Sequence, residues 1–142
     1  MDRKISQPLT KAFDDMMQRL PCAFVTSDGQ VSASCLGLYC AQLTSDLTAF
    51  IMLQAHRTRD RFTVELACSR SGRWPAFLLP NPPVVDQLDA RGDVRLRLSL
   101  LWSEADYWWS LNSRDDIAPV MTQVEERLRS LAVPYFERMR AR

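Results

Sequence analysis

Two neighbouring segments, 47–55 and 61–70, constrain the fold of this chain more than any other part of the sequence. The first, LTAFIMLQA, is a nearly continuous apolar run with the length of a strand buried on both faces. The second alternates with a period of two, which indicates a strand with two different faces. One face of this second strand carries the apolar residues Phe62, Val64, Leu66 and Cys68. The other face carries Thr63, Glu65, Ala67 and Ser69. The sequence therefore predicts a buried central strand that is followed, after the charged turn 57–61, by another strand.

Further strands are predicted on both sides of this pair. Residues 24–25 precede Asp28 and Gly29, and an Asp-Gly pair is a strong turn signal. Residues 36–43 form a strand that ends in a tight turn at 44–46. Two further strands are therefore predicted before the central pair in the sequence.

Residues 94–101 alternate again and predict one more half-buried strand. Its polar face carries Arg95 and Arg97, and Glu65 has the parity to face either of them if the two strands pair. Opposite charges across paired strands stabilise a sheet, so we expect a cross-strand ion pair here.

Amphipathic helices are predicted near both ends of the chain. Residues 6–20 carry one apolar stripe, with Ser6 as the expected N-cap and Pro21 as the stop. Residues 116–131 carry a second stripe, Val133 and Pro134 are expected to break that helix, and a short helix follows over 135–140. The two stripes consist of Leu9, Phe13, Met16, Leu20 and of Ile117, Val120, Val124, Leu128, Leu131.

The fold class that accommodates these elements is α+β. We expect an antiparallel sheet of four or five strands with the N- and C-terminal helices packed on one face. The chain has 142 residues, shows no internal repeat or linker, and is expected to form a single domain over 1–142.

Composition excludes several classes of function. The formal net charge of +1 gives no overall attraction to nucleic acid or to anionic lipid, and no apolar run approaches the roughly 18 residues that span a bilayer. One histidine excludes a multi-histidine metal centre, and four scattered glycines exclude a glycine-rich phosphate loop. The cysteines have no CxxC spacing. We therefore predict no metal, no cofactor, no nucleic-acid partner and no membrane partner, and an N-terminus without a secretory signal predicts a cytoplasmic protein.

The segment 71–93 is the most suggestive part of the chain for binding. It contains four prolines and is long for a loop of a compact domain, although a short helix is expected over 84–88. Exposed aromatic side chains on such a loop are typical interface anchors, and acidic side chains can meet a basic partner. The alternative for the aromatics is that they fold back over the sheet as a lid. The predicted partner-binding residues are Trp74, Phe77, Asp86, Asp89 and Asp93.

Three other groups of residues are candidates for a functional site. His56, followed by Arg57, Arg59 and Arg61, predicts an alternative function as a small enzyme of unfamiliar type that acts on a small molecule or nucleotide. No catalytic residue is assigned, because no motif places an orienting acid near His56. The arginines of the C-terminal tail would allow weak nucleic-acid binding, but they also suit a helix C-terminus. Of the adjacent Trp108 and Trp109, one is expected in the core and the other on the opposite face.

The order of several short motifs resembles a family of small bacterial domains of unknown function. The most distinctive motifs are the Asp-x-Trp-Trp and Pro-Tyr-Phe-Glu pieces near the C-terminus, whereas the proline-rich segment 71–93 departs from the family's pattern. The resemblance implies no established catalysis, and domains of this style look like immunity proteins encoded beside bacterial toxins. The pieces that carry it are Leu53–Gln54, 61–66, Arg95–Leu96, Asp106–Trp109 and Val133–Glu137.

The sequence thus predicts a non-enzymatic cytosolic binding protein, specifically an immunity protein that binds and occludes a protein toxin. It leaves the oligomeric state open.

Overall fold

The computed structural model describes residues 1–27, 32–78 and 85–142. The predicted turn at Asp28 and Gly29, and the prolines Pro80, Pro82 and Pro83, lie outside these residues. Where the expected helix over 84–88 is described, residues 85–87 form a turn and a bend instead, and residue 88 is not helical.

One antiparallel sheet organises the chain. Its strands are β1 (Val25–Thr26), β2 (Cys35–Thr44), β3 (Leu47–Ala55), β4 (Arg61–Ser69), β5 (Asp93–Arg97) and β6 (Trp109–Ser110). The first five are neighbours in sequence order, and β6 also pairs with β4. The sixth strand has only two residues, which is too short to produce a periodicity in the sequence.

The helices lie on one face of this sheet. They are α1 (Arg3–Met17), α2 (Ile117–Arg127) and α3 (Val133–Arg140), and a π-helical turn (Leu128–Ala132) joins the last two. The apolar stripes of the helices share one core with the inward side chains of the strands; among its fully buried members are Leu9, Phe13, Met16, Ile51, Phe62, Leu66, Leu96, Val124 and Leu128. The predicted α+β fold with both terminal helices on one face is thereby confirmed.

The register between β4 and β5 determines which polar side chains are neighbours on the sheet face away from the helices. Glu65 of β4 is directly opposite Arg97, and Ala67 is opposite Arg95. The expected strand over 94–101 is wrong beyond Arg97, where a 3₁₀ helix (Leu98–Trp102) begins. On the N-terminal side of Glu65, the same edge of β4 pairs with β6 through Phe62 and Trp109. The β5 strand therefore leaves the sheet after Arg97.

The helix predicted over 6–20 with Pro21 as the stop ends earlier, at Met17. Two other predicted helix boundaries are wrong for identifiable reasons. Ser6 lies inside α1, because Asp2 is the N-cap and its carboxylate accepts the Lys4 backbone N–H at 2.9 Å. Pro134 does not break the C-terminal helix. It lies in the first turn of α3, where a missing N–H is tolerated, and the Val133 N–H bonds to Leu128 O across the wider π turn.

Candidate functional site

The sheet face opposite the helices carries a second, smaller apolar cluster. It consists of Leu38, Phe50, Met52 and Ala67, with Trp74 packed against it. The Trp74 ring meets the Phe50 ring edge to face, with 5.9 Å between centroids. Trp74 therefore covers the sheet, as in the lid alternative for this aromatic residue.

Three arginines on or next to β5 each stack over an aromatic ring, and we call this set the arginine–aromatic row. The guanidinium carbon atoms lie 4.6 to 4.9 Å from the ring centroids. Guanidinium groups within about 6 Å of a ring face are attracted by its quadrupole. The pairs are Arg91 with Phe77, Arg95 with Trp74, and Arg97 with Trp108.

Arg95 is the central member of the row and makes the most polar contacts. Its Nε donates to Glu65 Oε1 at 2.7 Å, and its Nη1 donates to the carbonyl oxygens of Pro75 and Ala76 at 3.1 and 3.3 Å. Glu65 is fully buried. The expected cross-strand ion pair is thus present, and it extends to the segment that carries Trp74 and Phe77.

Arg97 makes an analogous set of contacts farther along the face. It pairs with the Asp106 carboxylate, which also accepts the Trp108 indole N–H at 2.8 Å. The Trp108 ring meets the His56 ring edge to face, with 5.0 Å between centroids. Trp109 points the other way and is buried beside Phe62, so the adjacent tryptophans occupy opposite faces as expected.

Of the aromatic side chains predicted to bind a partner, Phe77 is the exposed one. The residue exposes 61% of its surface although Arg91 lies over its ring. Among the described residues only Val25, at 62%, is a comparably exposed large hydrophobic residue. Phe77 is therefore an apolar side chain that faces solvent while Arg91 packs against its ring.

The three predicted acidic residues all have partners within the chain. Asp93 accepts the Ser69 hydroxyl at 2.7 Å, and Asp86 pairs with Arg142 at 2.9 Å. Asp89 accepts the backbone N–H groups of Arg91 and Asp93 at 2.8 and 3.0 Å. The Asp93 N–H, followed by that of Arg91, holds the pKa of the Asp89 carboxyl below its usual value. Asp89 also lies 3.6 Å from the Arg91 guanidinium, which brings it to the rim of the Phe77 surface.

Sequence reasoning missed the arginines as members of this surface. The alternation in 94–101 placed Arg95 and Arg97 on the polar face of a strand, which was the available signal. It gave no indication that each would lie over an aromatic ring contributed by a distant segment.

The residues of the alternative enzymatic reading do not meet in one cleft. His56 and Arg57 line a groove of about 350 Å³, whereas Arg59 and Arg61 line a different one of about 460 Å³. His56 Nδ1 accepts the backbone N–H groups of Thr58 and Arg59, both at 3.2 Å. This nitrogen therefore stabilises the turn after β3, and Nε2 is the nitrogen that remains for other contacts.

No metal-binding group is evident in the described residues: His, Cys, Asp and Glu do not gather there in threes or more. Cys68 is fully buried in the apolar core, and this burial raises the pKa of its thiol to about 12. Of the helices in the described ranges, none is long and apolar enough to cross a membrane.

Comparison with known proteins places the chain in a family. No curated protein and no solved structure matches it. A family model, described as domain of unknown function DUF4304, matches residues 41–138, which is more than half of the chain. The match begins within β2 and includes the whole arginine–aromatic row. The expected resemblance to a small domain of unknown function is confirmed, and the chain belongs to the DUF4304 family.

Proposed function

We propose that this chain is a non-enzymatic protein-binding domain, and more specifically a cytoplasmic immunity protein that binds and occludes a bacterial toxin. The observation that supports binding is the exposed Phe77 side chain, which lies on a platform of packed residues. The platform consists of Arg91 over the Phe77 ring and of Trp74 packed on the sheet. Aromatic and arginine side chains dominate the energetics of protein interfaces when they cluster in this way.

Preorganisation favours this surface as a binding site. Ordering side chains on association costs about 0.5–1.5 kcal/mol for each flexible side chain, and a residue that is already held in place avoids part of that cost. Arg91 is restrained by Phe77 on one side and by Asp89 on the other. An apolar ring with an ion pair at its edge also resembles the centre and rim of a protein interface.

The charges at the rim determine what kind of partner fits. Asp89 places a carboxylate at this rim, and Asp86 and Asp93, which are held by Arg142 and by the Ser69 hydroxyl, add carboxylates in the same part of the chain. A basic protein surface, such as the substrate cleft of a toxin that acts on nucleic acid or another anion, would be attracted to these carboxylates. The toxin would then bury Phe77 at the centre of the contact.

The test is protection and complex formation with a toxin encoded beside the gene for this chain. Co-expression should restore growth, and the two proteins should elute together in size-exclusion chromatography. The Phe77→Ala variant should lose protection, and Val25→Ala should keep it, because Val25 is equally exposed but lies on β1. Absence of both binding and protection with every toxin encoded at the locus would contradict the proposal.

A further inference from the structure

We propose that Arg95 is a positioning residue that fixes the anchor segment, residues 71–78, on the sheet, so that the Phe77 surface exists before a partner arrives. This inference rests on the proposed function for its biological use, but its structural claim concerns the free protein alone. It goes beyond partner binding because it names what determines the shape of the binding surface.

The first argument is the geometry of the guanidinium group. Arg95 donates through Nε to Glu65 and through Nη1 to the carbonyl oxygens of Pro75 and Ala76. Its planar face meanwhile lies over the Trp74 ring at 4.8 Å. One side chain on β5 therefore contacts three consecutive residues of the anchor segment, immediately before Phe77. A guanidinium group has enough donors in a rigid plane for this arrangement, and a lysine ammonium group does not reproduce it.

The second argument is that Glu65 holds Arg95 in place. Glu65 is fully buried, and the Arg95 side chain is only 16% exposed, which is unusual for an arginine. A buried carboxylate needs its partner, so the orientation of Arg95 is fixed from beneath by the sheet. The sequence separation between Arg95 and Pro75 is 20 residues, and that between Arg95 and Glu65 is 30. The contact thus joins two strands to the loop between them.

The third argument is a matched contact that lacks the connection to the segment. Arg97 lies on the same face of β5, its side chain is 18% exposed, and it also pairs with a carboxylate and stacks on a tryptophan. Its partners are Asp106 and Trp108, which do not belong to the anchor segment. Arg97 is therefore the internal control for a general effect of removing a half-buried arginine from this strand.

The experiment uses the full chain labelled with 5-fluorotryptophan, because its four tryptophans give four ¹⁹F resonances. The Glu65→Met and Arg95→Met double variant removes the ion pair without leaving a buried charge, and it should remain folded. In this variant the Trp74 resonance should move to its position in the unfolded chain, while that of Trp108 stays. In Arg97→Met the Trp108 resonance should move while that of Trp74 stays.

Limited proteolysis provides a second readout of the same claim. Trypsin cleavage after Arg73 should become at least about tenfold faster in the double variant and unchanged in Arg97→Met, as expected for local release of the segment. Arg95→Lys should behave like the double variant at the Arg73 bond. An unmoved Trp74 resonance with unchanged cleavage in the double variant would overturn the positioning role.

Failure of this inference is distinguishable from failure of the proposed function. If Phe77→Ala abolishes toxin binding but the anchor segment stays ordered without Arg95, the binding function stands and the positioning role is wrong. If the segment is released as expected but Phe77→Ala has no effect on binding, the positioning role stands and the proposed use of the surface is wrong.

Discussion

The buried Glu65–Arg95 pair predicts an asymmetric response to mutation. Replacing Arg95 with Met leaves the Glu65 carboxylate fully buried without a cation, which costs about 3–5 kcal/mol in comparable pairs. Replacing Glu65 with Met leaves Arg95 with its two carbonyl acceptors and partial access to water, so the expected loss is about 1–2 kcal/mol. Arg95→Met should therefore be clearly the more destabilising of the two single variants.

The double variant decides between this explanation and a simple loss of contacts. Replacing both charges with Met removes the desolvation cost together with the attraction, so we expect a loss of only about 1–2 kcal/mol, which comes from the contacts of Arg95 with the anchor segment. The coupling energy between the two sites is then at least about 2 kcal/mol. Urea unfolding followed by circular dichroism measures all four proteins, and an unchanged slope with denaturant indicates that the unfolded state is comparable. Additive losses, or a larger loss for Glu65→Met than for Arg95→Met, would refute the reasoning.

Three further predictions follow from other contacts. Tyr135→Phe removes a buried hydroxyl that donates to Val85 O at 2.6 Å, and it should lower the free energy of unfolding by about 1 kcal/mol or somewhat more in urea titrations; no change would contradict the role of this bond. Cys68, with a pKa raised to about 12, should react with iodoacetamide at mildly alkaline pH only as fast as the protein unfolds. The lowered pKa of Asp89 stabilises the folded state above the ordinary carboxyl pKa, and this contribution disappears as the pH falls through the folded value. Asp89→Asn, which keeps an acceptor oxygen, should therefore be less stable than the native chain at neutral pH and equally stable in strong acid, as thermal unfolding at several pH values would reveal.

The two central strands could be predicted because their burial requires a recognisable pattern of apolar residues in the sequence. β3 spans the predicted residues Leu47–Ala55, and β4 ends one residue before the predicted limit. Each of these strands has a different environment on its two faces, or an apolar one on both, and both patterns are visible without any knowledge of partners. Two-residue strands such as β6 have no such record.

The predicted break of the C-terminal helix at Val133 and Pro134 is wrong for a local reason. Proline in a helix interior is usually a break, but the π turn at Leu128–Ala132 changes which carbonyl each N–H meets, and Pro134 then stands at the start of a new helical segment. Because π turns are rare, a proline at this position predicts the end of a helix when only the sequence is considered.

Of the candidate site, the sequence predicts the aromatic and acidic side chains of the segment 71–93 but not the arginines that contact them. Trp74 and Phe77 are predicted binding residues because exposed aromatic side chains on a long proline-rich loop are typical interface anchors. The role of Arg95 depends on the register between β4 and β5 and on where the loop between them folds back, and neither follows from local periodicity. Tertiary contacts between residues 20 to 30 positions apart determine this surface.

The most direct test of the central claim is the dissociation constant for a toxin encoded beside this gene, measured by isothermal titration calorimetry. We expect Phe77→Ala to weaken binding by about 30-fold or more, which corresponds to an interface hot spot of at least about 2 kcal/mol. Val25→Ala should change the constant by less than about threefold, since this equally exposed side chain is not part of the platform. Equal affinities for the native chain and Phe77→Ala, or equal losses in both variants, would contradict the assignment of binding to the Phe77 surface.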